Sequence, residues 1–115
     1  MSCDARFGIL PSPNPELDYA DGAPCLPGCV SIDDDILEYW WPRLSAMDSY
    51  YHSLKRPARA LARWGVTLIP PASLPLFEDI VEHDTPKDCR EEILPLLGVI
   101  RQARREGAFV IHYGV

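Results

Sequence analysis

Apolar positions recur along this chain with two different periods. Leu37, Trp40, Leu44, Met47, Tyr51 and Leu54 stand three or four residues apart, the stripe of an amphipathic helix. Ile93, Leu96, Leu97, Ile100 and Ala103 repeat that spacing further on, and Phe77, Ile80 and Val81 form a shorter version between the two. Two other runs are continuous and rich in β-formers: Val66-Thr67-Leu68-Ile69 and Phe109-Val110-Ile111-His112-Tyr113. The first is bounded by Gly65 and by Pro70-Pro71, which cannot continue ladder pairing, so it reads as a strand with a defined stop. The second begins just past Gly107, a helix-ending glycine. These two runs read as partners. A short strand at residues 6–10 can join them, because two strands alone are marginal in water.

Punctuation places the helix ends. Ser31 or Asp33 can cap the first helix, and Asp33, Asp34 and Asp35 sit where the positive end of the helix dipole favours them. Pro42 lies on the stripe and clashes with the carbonyl of Glu38, which predicts a kink or two helices meeting near Trp41. Pro57 opens a further short helix over residues 57–64, ended by Gly65. Ser73 caps a helix with Pro75 in its first turn. Thr85-Pro86-Lys87-Asp88 opens the last one, whose regular part, interrupted by Pro95, is expected from near Glu92 to Glu106 with Arg101, Arg104 and Arg105 near its negative end. The order is (β)ααβααβ. It predicts a small α+β domain in which about four helices cover one face of a two- or three-stranded sheet, with parallel and antiparallel pairing both open. Residues 1–28 carry Pro11, Pro13, Pro15, Pro24 and Pro27 and read as irregular beyond the short strand; residues 29–115 read as the compact core of the single domain.

A chain of 115 residues, 47% of them hydrophobic, has material for one modest core. No apolar run approaches the roughly 20 residues needed to span a bilayer, and no signal peptide is evident. The sequence therefore predicts a cytoplasmic protein away from membranes, its four cysteines free thiols. The net charge of −6 is unevenly spread: residues 1–54 hold nine acids against Arg6 and Arg43, whereas Lys55, Arg56, Arg59 and Arg63 follow with no acid between them. An acidic chain disfavours nucleic acid as a ligand and favours a basic protein partner.

Candidate chemistry is sparse. Cys25-Leu-Pro-Gly-Cys29 has two thiols in a tight turn, but its only completion as a metal site is the distant pair His83 and Cys89, so unligated thiols are the better reading and no metal is assigned. His52, His83 and His112 are acid–base candidates in principle. His112 falls on the same side of its strand as Val110, and reads as facing solvent or bonded to backbone. No nucleophile elbow, phosphate loop or dinucleotide fingerprint occurs, so no catalytic residue and no cofactor are assigned. In the aromatic cluster Trp40 and Tyr51 follow the core stripe, Trp41 and Tyr50 flank it, and Tyr39 points away. Helix-dipole stabilisation explains one or two aspartates at a helix start better than three. Asp33, Asp34, Asp35 and Glu38, beside Trp41, are therefore the candidate partner-binding residues, with Glu78, Asp79 and Glu82 as a second acidic cluster.

The C-terminal half, from Tyr51-His-Ser-Leu-Lys-Arg-Pro through Trp64-Gly-Val-Thr-Leu-Ile-Pro-Pro to Phe109-Val-Ile-His-Tyr-Gly, resembles short bacterial immunity proteins of secreted polymorphic toxins. The resemblance covers residues 51–115 and carries no site motif. It implies a small, cytoplasmic, non-enzymatic protein that binds and neutralises a cognate, basic toxin, and a monomer and a homodimer are both open. Two alternatives stand beside it. One is a self-associating structural or regulatory module that uses a sheet edge or the Trp41 region, and the other is a small hydrolase built on His83, Asp84 or Cys89.

Overall fold

The computed structural model describes residues 4–19, 29–62 and 65–114. Its strands are β1 (Asp4–Leu10), β2 (Val30–Asp33), β3 (Asp48–Tyr51), β4 (Pro57–Arg59), β5 (Val66–Ile69) and β6 (Phe109–Tyr113). They form one sheet in the order β2-β1-β6-β5-β3-β4, antiparallel throughout. Its helices are α1 (Asp34–Leu44), α2 (Leu74–Asp84) and α3 (Arg90–Glu106).

The α+β class stands, but the sheet has six strands rather than two or three, and three helices rather than about four are seen among the described residues. One added strand, β2, precedes α1 where a helix cap alone is expected, and the other two arise after Leu44. There the Ser45 hydroxyl donates to the Pro42 carbonyl, and the amides of Ala46 and Met47 turn back to Arg43 and Leu44. The chain then extends, so that Tyr50 and Tyr51 pair with Leu68 and Thr67 of β5. The helical spacing that continues through Tyr51 and Leu54 is thus coincidental. Pro57, expected at a helix start, begins the edge strand β4, where the missing N–H costs little. Cys25 and the rest of residues 20–28 lie outside the described residues.

Proline inside a helix is tolerated twice. Pro42 and Glu38 in α1, like Pro95 and Glu91 in α3, are exposed, so the carbonyl deprived of its donor lies on the wet side of the helix. No break at Trp41 results. The last helix begins at Arg90 instead of at Thr85, because Thr85 closes α2: its hydroxyl donates to the Val81 carbonyl at 2.6 Å. Gly107 ends α3 in the left-handed region, φ 66°, and the Ala108 amide returns to the Ala103 carbonyl.

The helices cover one face of the sheet. Ala5, Phe7, Ile32, Ile69 and Val110 point into that layer and meet Trp40 and Leu44 of α1, Phe77 and Ile80 of α2, and the predicted α3 stripe Ile93, Leu96, Leu97, Ile100 and Ala103, all buried. Phe7 lies at the centre, with ring centroids of Trp40 at 6.5 Å, Phe77 at 5.8 Å and His112 at 4.8 Å. On the opposite face Val66, Leu68 and Ile111 are buried beneath Leu10, Tyr19, Tyr50, Leu54, Phe109 and Tyr113. Tyr19 is held there by its amide, which donates to the His52 carbonyl at 2.7 Å.

Two polar or strained positions follow from this packing. His112 is on the Val110 side, as alternation requires, but that side is the one the helices cover. It is therefore 1% exposed, with neither ring nitrogen hydrogen-bonded among the described residues, and burial pushes its pKa down to about 3. It neither faces solvent nor bonds to backbone. Gly65 has φ 81°, and a Cβ there would lie 2.2 Å from Nε2 of His52, itself left-handed at φ 67°.

The folded state keeps His112 neutral while the unfolded chain takes up a proton below pH 6.5, so stability is lost as pH falls from 6.5 toward 3. Urea unfolding of the wild type and of His112→Met should differ in pH dependence by about 2 kcal/mol between pH 6.5 and 5. Equal slopes would mean that the ring is hydrated. Gly65→Ala should cost roughly 2–3 kcal/mol from the left-handed backbone and the clash. Adding His52→Ala should recover the part due to the clash, read from the same denaturation curves.

Candidate acidic interface at the start of α1

β2 runs into α1 with no loop between them. Asp33 is the last strand residue, its backbone at φ −59° and ψ 134°, and also the helix cap: its Oδ1 accepts the Asp35 amide at 3.0 Å. The β1–β2 register sets Asp4 directly opposite Asp33, and both are exposed. Like charges facing each other across a ladder destabilise it. Asp35 and Glu38 are exposed on the first turns of α1, and Asp34 is half-buried. No cation lies within ion-pair distance of Asp4, Asp33 or Asp35 among the described residues.

The neighbouring rings divide by helical geometry. Trp40 is fully buried, edge-on to Phe77 at 6.0 Å, and its indole N–H donates to the Thr85 hydroxyl at 2.8 Å. Trp41 is half-buried against the core, and Tyr39 is 54% exposed. Tyr50 and Tyr51 belong to β3 and are separate from this group. Tyr50 packs toward Phe109, while Tyr51 stacks on His52 at 3.7 Å beneath the Arg56 guanidinium.

The second acidic cluster is internally compensated. Glu78 accepts from Arg104 Nη1 at 2.9 Å and Arg101 Nε at 3.3 Å, and Glu82 lies 3.6–3.7 Å from Arg101 and Arg90. Partial burial pushes the Glu78 carboxyl up, but the two arginines outweigh it and hold the group below the usual range. Asp79 is likewise lowered, chiefly by Arg43, which also bonds Asp84 at 3.0 Å and has its own pKa raised by the pair. Arg101 and Arg104 thus tie α3 to α2, and Arg43 ties α1 to α2.

Each of the hydrolase candidates has a contact of its own. His83 Nδ1 faces Asp79 Oδ1 at 2.9 Å, Asp84 is taken by Arg43, and Cys89 is a half-buried free thiol packed against the core. Cys29 lies over Gly8, its Sγ 2.8 Å from where a Cβ would stand. The Asp4–Asp33 juxtaposition has no signal in the sequence, since it depends on a register between strands separated by the whole proline-rich segment. Comparison with protein-family models, with characterised proteins and with solved structures gives no match.

If the facing of Asp4 and Asp33 costs the fold, Asp4→Asn should stabilise the isolated protein by about 0.5 kcal/mol through relief of the facing charge. Asp33→Ala should destabilise it by about 1 kcal/mol through loss of the cap. Shifts in the urea midpoint measure both, and destabilisation by Asp4→Asn would assign that residue a structural role instead.

Proposed function

We propose that this chain is a non-enzymatic, cytoplasmic immunity-type protein that neutralises a cognate, basic toxin. It docks through Asp33, Asp34, Asp35 and Glu38 at the start of α1, with Trp41 and the exposed Tyr39 as the aromatic part of the contact. One contrast carries this reading. The acids of α2 are each matched by an arginine from α1 or α3, whereas Asp4, Asp33 and Asp35 gather with no described cation although two of them face one another across a ladder. A charge arrangement that costs the isolated fold something is supported by what it gains on association, in steering and in electrostatic complementarity. No helix among the described residues is long and apolar enough to cross a membrane.

The test begins with the product of the adjacent gene. Co-expression should relieve its toxicity, and the purified pair should associate at a rate that falls with salt. Replacing Asp34 and Asp35 by Asn should slow association and flatten its salt dependence. Tyr39→Ala should raise the dissociation rate without disturbing the fold, while Trp41→Ala also removes a core contact and needs a circular-dichroism control. A neighbour that is harmless, or equally toxic with and without this chain, sinks the proposal. Light scattering on the chain alone separates a self-associating module from a monomer awaiting its partner.

A further inference from the structure

On the outer side of the helical layer, Glu78 of α2 and Arg101, Arg104 and Arg105 of α3 line an open groove of about 460 Å³. Cations near a helix C-terminus have an ordinary explanation in the helix dipole. Here it does not account for where the guanidinium groups go. The Ala103 and Arg104 carbonyls are capped by backbone amides of Gly107 and Ala108. Arg101 and Arg104 instead turn sideways across the interhelical groove to Glu78, whose side chain is only 17% exposed.

Glu78 spaces the two guanidinium groups but does not saturate them. Each arginine offers five N–H donors in a rigid fork. Glu78 takes one from Arg101 and one from Arg104, and Glu82 stands 3.6 Å from a further Arg101 nitrogen. Arg105 has no acid within ion-pair distance among the described residues. The groove is lined by three cations and one carboxylate on a protein whose net charge is −6, and it keeps an excess of positive charge even with Glu82 beside Arg101. About 43–46% of the Arg101 and Arg104 side chains remains open to solvent, so the spare donors are accessible.

We propose that this groove binds a phosphate monoester. A carboxylate offers two acceptor oxygens and one charge, whereas a phosphate monoester carries close to two negative charges near neutral pH and presents three acceptor oxygens to arginine forks. The volume lies within the range of small-molecule sites and exceeds what inorganic phosphate needs, which leaves room for the esterified group. This site lies apart from the acidic residues of α1 and stands or falls independently of the toxin-binding reading.

The experiment is a titration of the ¹⁵N-labelled full chain, followed by amide shifts, with inorganic phosphate, with ribose 5-phosphate, and with sodium chloride at matched ionic strength. Saturable shifts are expected around residues 78 and 101–105 with both phosphates and not with chloride, the ester binding at least as tightly as phosphate. The double variant Arg104→Gln, Arg105→Gln should lose at least about tenfold in affinity. Arg59→Gln, on the edge strand β4, should lose nothing. Chloride shifts matching those of phosphate, a double variant that binds as the wild type does, or an ester weaker than inorganic phosphate would each overturn the proposal.

Discussion

The antiparallel pairing of β1 with β6 sets Phe7 opposite His112, and through Phe7 it gives α1 and α2 a common anchor. Burying rings of this size is among the larger single contributions a core of this length can draw on. The same site exposes the cost of the arrangement. Trp40 brings an indole N–H into the layer, and Thr85 satisfies it with the hydroxyl that also closes α2. His112 brings two ring nitrogens, and nothing among the described residues satisfies either. The core is thus held by aromatic contact around one polar ring that must stay neutral, which makes the stability of the helical layer depend on pH through that side chain.

That pairing joins the earliest described strand to the last. Loop closure over so long a separation has to be compensated by contacts that form only once the sheet is nearly complete. The three helices lie on one side, and the second face is closed by smaller means: Tyr19 and Leu54 pack over Val66, Leu68 and Ile111. The left-handed His52 turns the chain at this end of the sheet, and its amide donates to the Val66 carbonyl while its carbonyl accepts from Tyr19. Gly65 is required because the imidazole of His52 occupies the space where a Cβ would be. Backbone strain and ring packing support each other at this point.

Charge is distributed with two different logics. On the helical layer, arginines from α1 and α3 converge on the acids of α2 and cross-tie the three helices. Such exposed pairs contribute little individually, and their effect is to fix the relative placement of helices already held by the core. At the β2–α1 junction Asp33 caps the helix and Asp35 meets its dipole, with no cation beside either among the described residues, and the strand register adds Asp4 to the group. The first arrangement produces a groove with spare cationic donors, and the second a surface with spare carboxylates.

What the sequence determined by itself lies where a local rule acts alone. The α3 stripe, the Gly107 terminus, the Phe77–Ile80–Val81 face and the strands β5 and β6 are all visible as period, β-branching and punctuation. The acid-rich start of α1, including the capping role of Asp33, is legible in the same way. Tertiary structure decided everything that depends on what a segment pairs with. Residues 48–59 become β3 and β4 although Tyr51 and Leu54 continue the helical spacing, because β3, paired between β5 and the edge strand β4, buries Ser49 and half-buries Tyr50 and Tyr51 in a way a solitary helix extension would not. Alternation placed His112 beside Val110, yet only the sheet order reveals that this face is the covered one. The convergence of Arg101 and Arg104 on Glu78, like the facing of Asp4 and Asp33, joins residues more than twenty positions apart. No short-range pattern encodes such a meeting, since register and helix docking are set by the burial of the whole apolar surface at once.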